Sequence, residues 1–248
     1  IVDGLALIHV SSGDPVAAMA ALQAEPTVLR TGLNYIVSTQ ITPSDPLFGS
    51  TWGMNNTTSQ LNDIDAPQAW DIYTGDPNYR VAVIDTGIDF NHPDLQGNIW
   101  VNPGEIANDG IDNDGNGYID DVSGWNFVTN TNNPQDGNGH GTHVSGTIAA
   151  KGNNGIGVAG VAWAAKIVPL KFLSDTGSGT TANAIKAIDY CTANGIKLSN
   201  NSWGGGLYDS LLQQAIANAG AVDHLFIAAA GNSALNIDVS LSYPDSYN

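Results

Sequence analysis

Basic residues are scarce in this chain. Its 248 residues hold 7 lysines and arginines against 24 aspartates and glutamates, a formal net charge of −17. A nucleic-acid binder needs a basic footprint for the phosphates, so that class of partner is excluded. The single cysteine, Cys191, rules out an internal disulfide and a zinc ribbon. It lies in the helical-looking NAIKAIDYCTANG, where the expected role is that of a small buried apolar residue. No stretch of about 18 consecutive apolar residues occurs, so no membrane-spanning helix is predicted. An initiator Met and a signal-peptide pattern are missing too. With Ile1 entering the apolar run LALIHV and Asn248 following a strand-like segment, the chain reads as an interior piece of a longer protein.

What is present is ordinary globular composition, 42% apolar with 29 glycines, enough for one large α/β domain and a small appendage. Residues 1–38 read as strand, helix, strand: GLALIHV, DPVAAMAALQAEP and TVLRTGLNYIVS. A polar linker with Pro43 and Pro46 follows. The reading therefore divides the chain into 1–44 and 45–248. Beyond Leu61 the helical APQAWDIY precedes YRVAVID, an apolar run suited to a strand buried on both faces. A helix from about His140 leads into the strand AKIVPLKFL and the helix TTANAIKAIDYCTANG. The strand IKLSNNSWG, the helix DSLLQQAIANAG and the strand LFIAAAGN complete the series. This alternation predicts a parallel doubly wound sheet with helices on both faces. Ligands of such sheets bind beyond the carboxyl ends of the strands, where Asp85, Ser202 and Asn232 fall.

Taken singly, these residues have plain explanations. Asp85 before Thr86-Gly87 could be a turn residue, or the buried carboxylate that orients a histidine. His140 and His143 could be zinc ligands, but the glutamate of H-E-x-x-H is absent, and His9, His92 and His224 show no ligand spacing.

Three segments in order, VAVIDTGID, GHGTHVSGTIAA and AAAGN, resemble the subtilisin-like serine proteases (subtilases). The linking segments NNGIGVAGVA, LKFLSDTGSG and NNSWGG fit as well, and the likeness runs from about residue 61 to 248. It implies a three-layer subtilisin-like fold and a secreted endopeptidase acting on extended peptide or protein. Asp85 would then orient His140, the general base, and Asn232 would donate to the tetrahedral oxyanion. His143 would be structural. Gly177, Ser178 and Gly179, with Ser202, Trp203 and Gly204, match segments that pair with the substrate backbone. Residues 1–38 resemble the latter half of the family's inhibitory propeptide, a small α+β unit whose end runs into the cleft, making the propeptide a partner in a precursor. The family's nucleophile lies in a Gly-Thr-Ser-Met-Ala-type segment, and none occurs here. Ser145, Ser202 and Ser233 have no suitable context. The chain as printed is therefore expected to be inactive. The alternative is a pseudoprotease or calcium-dependent peptide-binding module.

The acid is concentrated in residues 105–121. There DNDGNGYIDD fits the opening of a calcium loop, with Asp112, Asp114 and Asn116 presenting alternate oxygens and Tyr118 its carbonyl. The twelfth position is Ser123 instead of Glu, so Asp121 or Asp120 would close the shell earlier. From the resemblance alone, Asp94 and Asn154 would hold a second Ca2+.

Overall fold

The computed structural model describes residues 4–11, 14–34, 41–58, 62–234 and 236–247. The chain forms two compact units, Ile1–Thr39 and Gln40–Asn248.

In the first unit the expected helix forms as α1 (Pro15–Gln23). Asp14 caps it, accepting from the Val16 N–H at 2.8 Å, and Pro15 occupies the first turn, where its missing N–H costs nothing. The flanking segments do not form the expected strands among the described residues. Leu5, Leu7 and Ile8 are 65%, 71% and 56% exposed. An apolar run becomes a strand only when a neighbour completes its hydrogen-bond ladder, and none is present here among the described residues. The end of the second segment, 35–38, lies outside the described residues.

The second unit is built on a five-stranded parallel sheet of order β2-β3-β1-β4-β5. The strands are β1 (Arg80–Asp85), β2 (Trp125–Asn126), β3 (Lys166–Lys171), β4 (Leu198–Asn201) and β5 (Leu225–Ala228). Between them lie α3 (His140–Ala149), α4 (Thr181–Ala193) and α5 (Ser210–Gly220); the short α2 (Ala66–Trp70) precedes β1. Successive residues of a strand point to opposite faces, and the two cores obey that rule. Val81 and Val83 pack with Ala149 of α3 and Ile167, whereas Ala82 and Ile84 pack with Ala184, Ile188 and Leu212 from α4 and α5. Three layers result, as the sequence implied. Cys191 is fully buried in the second core, and burial pushes its thiol pKa up. A third cluster, Phe48, Met54, Ala66, Trp70 and Ala159, anchors the linker and α2.

β1 and β3 pair in register from Arg80↔Lys166 to Asp85↔Lys171. That register places Asp85 and Lys171 side by side at the carboxyl edge of the sheet.

Candidate active site

Asp85 ends β1 with its side chain fully buried. A lone buried carboxylate would be costly, but this one is satisfied. The Thr86 N–H donates to Oδ1 at 2.7 Å, and His140 Nδ1 donates to Oδ1 at 2.8 Å and Oδ2 at 3.0 Å. Because a carboxylate accepts, Nδ1 carries the proton and Nε2 is left as the basic atom. His140 is the first residue of α3, with its side chain 46% exposed. Two glycines let the elements come this close. A Cβ on Gly141 would stand 2.3 Å from the Gly87 carbonyl oxygen, and one on Gly87 2.2 Å from that of Pro134.

The turn before α3 is organised by Asp136, which the sequence reading passed over. Its carboxylate accepts from the Asn138 and Gly139 N–H groups at 2.9 Å each, from the Thr142 N–H at 3.0 Å and from the Thr142 hydroxyl at 2.6 Å. The Thr86 hydroxyl is a fifth donor, at 2.9 Å. Burial raises its pKa, but these hydrogen bonds outweigh that and hold it at about 2.

His140 opens onto a cavity of about 520 Å³. Its walls bring together Gly177, Ser178, Gly179, Ser202, Trp203 and Gly204, every residue the sequence reading gave to the substrate backbone. Gly177 and Ser178 lie in a loop closed by Ser174 N–H to the Ser178 carbonyl at 2.8 Å, with Gly179 next in the chain; the others continue directly from β4. Apolar surface from Phe172, Leu173, Ala184 and Leu212 completes the cleft. A half-exposed histidine, a buried carboxylate hydrogen-bonded to it and glycine-rich walls thus meet at one strand edge, an arrangement able to carry out acid–base chemistry on a bound ligand.

The model of the subtilase family matches residues 76–248. The chain belongs to the subtilase family. It is 38% identical to thermitase of Thermoactinomyces vulgaris over 83% of this chain and 62% of that protein. It is 44% identical to subtilisin-like protease 1 of Plasmodium berghei over 62% of this chain and 26% of that protein. Among solved structures, a protease from Pseudoalteromonas arctica superposes with a TM-score of 0.66 at 28% identity, over 84% of this chain and 64% of that one. A cold-adapted subtilisin-like serine proteinase gives 0.54 at 27%, over 84% and 61%. This subtilase thus spans between about a quarter and about three fifths of these curated relatives.

Other predicted residues of this subtilase stand apart from the cleft. Asn232, beyond β5, is exposed and does not line the cavity. His143 is exposed on α3. Among the described residues no zinc-type group includes a histidine: the one set of acidic, histidine or cysteine side chains close enough to share an ion is Glu105, Asp112 and Asp114. Of the serines, Ser145 is fully buried, Ser202 Oγ accepts from Asn200 at 2.8 Å, and Ser233 is exposed.

In the acidic loop the ligand atoms of Glu105, Asp112 and Asp114 lie within 4.8 Å of one another. No lysine or arginine ion pair offsets them among the described residues. Asn116 keeps its place beside them, its amide bonding Asp114 Oδ2 at 3.3 Å. Tyr118 turns its ring inward against Trp125, Phe127 and Tyr190. Asp121 does not join the cluster. It is fully buried and accepts from the Tyr190 hydroxyl and, at 2.9 Å each, from the Asn102 and Asn116 amides. Burial raises its pKa. Glu105, which joins Asp112 and Asp114 in this cluster, lies seven residues before the DNDGNG pattern. At the second predicted site Asn154 Nδ2 donates to Asp94 Oδ1 at 2.9 Å, and both belong to one polar junction. The buried Asp45 joins it, accepting from the Asn153 N–H at 2.6 Å.

Proposed function

We propose that this chain is the base-bearing part of a secreted, calcium-stabilised serine endopeptidase in precursor form. The observation that carries the reading is the Asp85–His140 pair at the mouth of a glycine-walled cleft. His140 Nε2 would take the proton of a serine hydroxyl attacking the peptide carbonyl, then return it to the leaving amine. Asp85 would stabilise the imidazolium between these steps. Asn232 would donate to the oxyanion. Gly177–Gly179 and Ser202–Gly204 would hold the substrate as an added strand.

Residues 1–44 would be the propeptide remnant and linker, and 45–248 the start of the peptidase domain. The likeness to the extracellular protease of Xanthomonas campestris, 34% identical over 90% of this chain and 40% of that protein, supports secretion. Ca2+ fits the donor set of the acidic loop, where hard carboxylate oxygens from Glu105, Asp112 and Asp114 converge without a counter-charge among the described residues. Asn116, Tyr118 and Asp121 would support that site, and Asp94 and Asn154, joined by Asp45, would form a second. Bound there, the ion would neutralise the carboxylates and tie the loop to β2 and α4.

None of the three candidate serines hydrogen-bonds to His140 Nε2 among the described residues, so we expect these 248 residues alone to hydrolyse nothing. The second reading is a calcium-dependent module that binds extended peptide without cleaving it, for which the glycine-walled cleft is the supporting observation. Incubating the complete protein with an unstructured peptide and analysing it by mass spectrometry separates the two. New termini support the endopeptidase; retained, intact peptide supports the module and overturns the first reading.

A further inference from the structure

We propose that Asp136 is a positioning residue for the Asp85–His140 pair: through the Thr86 hydroxyl and the first turn of α3, its carboxylate holds the histidine-bearing helix in line with the end of β1. The inference rests on the endopeptidase reading for its catalytic consequence, but its geometry stands on its own.

The first N–H groups of a helix have no partner within it. Those of α3 are met entirely from outside, although its N-cap, Gly139, offers no side chain. The His140 N–H donates to Asn138 Oδ1 at 3.2 Å, the Gly141 N–H to Thr86 Oγ1 at 2.9 Å, and the Thr142 N–H to Asp136 Oδ2 at 3.0 Å. Asp136 is the hub, since its other oxygen receives the Thr86 hydroxyl and fixes the 138–139 turn. Thr86 is in turn spent on every polar atom. Its N–H donates to Asp85, its hydroxyl joins Asp136 to Gly141, and its carbonyl accepts from the buried Lys171. Lys171 also pairs with Asp175 at 2.7 Å, and Asp175 accepts from Asn138 at 2.9 Å. The loop before α3 is thus clamped to β1 and to the end of β3 by one closed circuit.

Asp85 and His140 are 55 residues apart and meet only if the end of β1 and the start of α3 keep this alignment. The carboxylate of Asp136 touches neither imidazole nor cleft. It works by removing freedom from the two backbones that carry the pair. Its negative charge also faces the positive end of the helix dipole, on which the imidazolium must form.

The test uses Asp136→Asn, Thr86→Val and the conservative Thr86→Ser, with two readouts. In the complete protease, Asp136→Asn and Thr86→Val should lower kcat by about 10²-fold, the scale of an ångström-size misplacement, and leave KM near its parent value. Thr86→Ser should recover most of the loss. In the present chain, NMR should show the far-downfield His140 Nδ1–H resonance of the parent and of Thr86→Ser. That resonance should be lost or shifted in the other two variants, while the remaining amide spectrum stays folded. An unchanged kcat and resonance in Asp136→Asn and Thr86→Val would overturn the proposal. So would losses that only track the unfolded fraction, or a Thr86→Ser no better than Thr86→Val. If the parent protein cleaves no peptide, the endopeptidase reading fails by itself, and the resonance alone decides the positioning role.

Discussion

His140 Nδ1 lies 2.8 and 3.0 Å from the two carboxylate oxygens of Asp85, so the imidazole is held in one tautomer with Nε2 turned to the open cleft. Asp85→Asn keeps the size of the side chain but can offer its amide N–H to the ring, which favours the wrong tautomer. In the complete protease kcat should fall on the order of 10⁴-fold with the fold intact. Steady-state kinetics and circular dichroism check both halves of that statement.

The approach of α3 to the turn after β1 depends on Gly141. Alanine there would bring its Cβ to 2.3 Å from the Gly87 carbonyl oxygen, and backbone cannot give way as a flexible side chain can. Overpacking of this kind costs about 1–3 kcal/mol. Thermal unfolding of Gly141→Ala should show a loss of about 2–4 °C for each kcal/mol. An unchanged melting temperature would mean that the helix shifts freely.

Glu105, Asp112 and Asp114 crowd like charges that a cation would relieve. Adding Ca2+ to about 100 times its dissociation constant should stabilise the fold by about 2.7 kcal/mol. Glu105→Gln should blunt that response more than Asp121→Asn, since Asp121 is committed to Tyr190, Asn102 and Asn116. Calorimetric melts with calcium and with EDTA read the difference.

His224 provides a pH dependence away from the cleft. Its Nδ1 donates to the Ile196 carbonyl at 2.7 Å, so Nε2 accepts from Ser199 Oγ at 2.8 Å. Burial lowers its pKa, so the unfolded chain binds the proton more tightly than the folded one. The stability linked to this neutral ring is fully present above the unfolded pKa of about 6.5 and is lost as pH falls below it. Melting temperatures measured from pH 7.5 to pH 5 should fall for the parent and fall less for His224→Gln.

Much of this architecture was legible because period and punctuation agreed. The apolar run VAVI and the strand-helix alternation both pointed to one parallel sheet, and the predicted substrate segments meet in one cavity. What escaped had no local signature. β2 is two residues long, too short for any period, and exists because Trp125 and Asn126 align with Leu170 and Lys171. Glu105, Asp45 and Asp136 looked like ordinary loop acids; their roles arise from partners brought near by the fold. The contacts of Asp121 were equally out of reach, since its spacing suits a calcium loop while its hydrogen bond to Tyr190 joins residues distant in sequence. The strand reading of 4–10 failed because an apolar run does not supply a neighbour.

The central claim is that His140 acts as the base for peptide hydrolysis. Its most direct test is turnover of a chromogenic peptide by the complete protein, parent against His140→Ala, with folding checked by circular dichroism. The account predicts measurable hydrolysis by the parent and a loss of kcat on the order of 10⁶-fold in a variant that remains folded. Turnover by His140→Ala within tenfold of the parent's would contradict it.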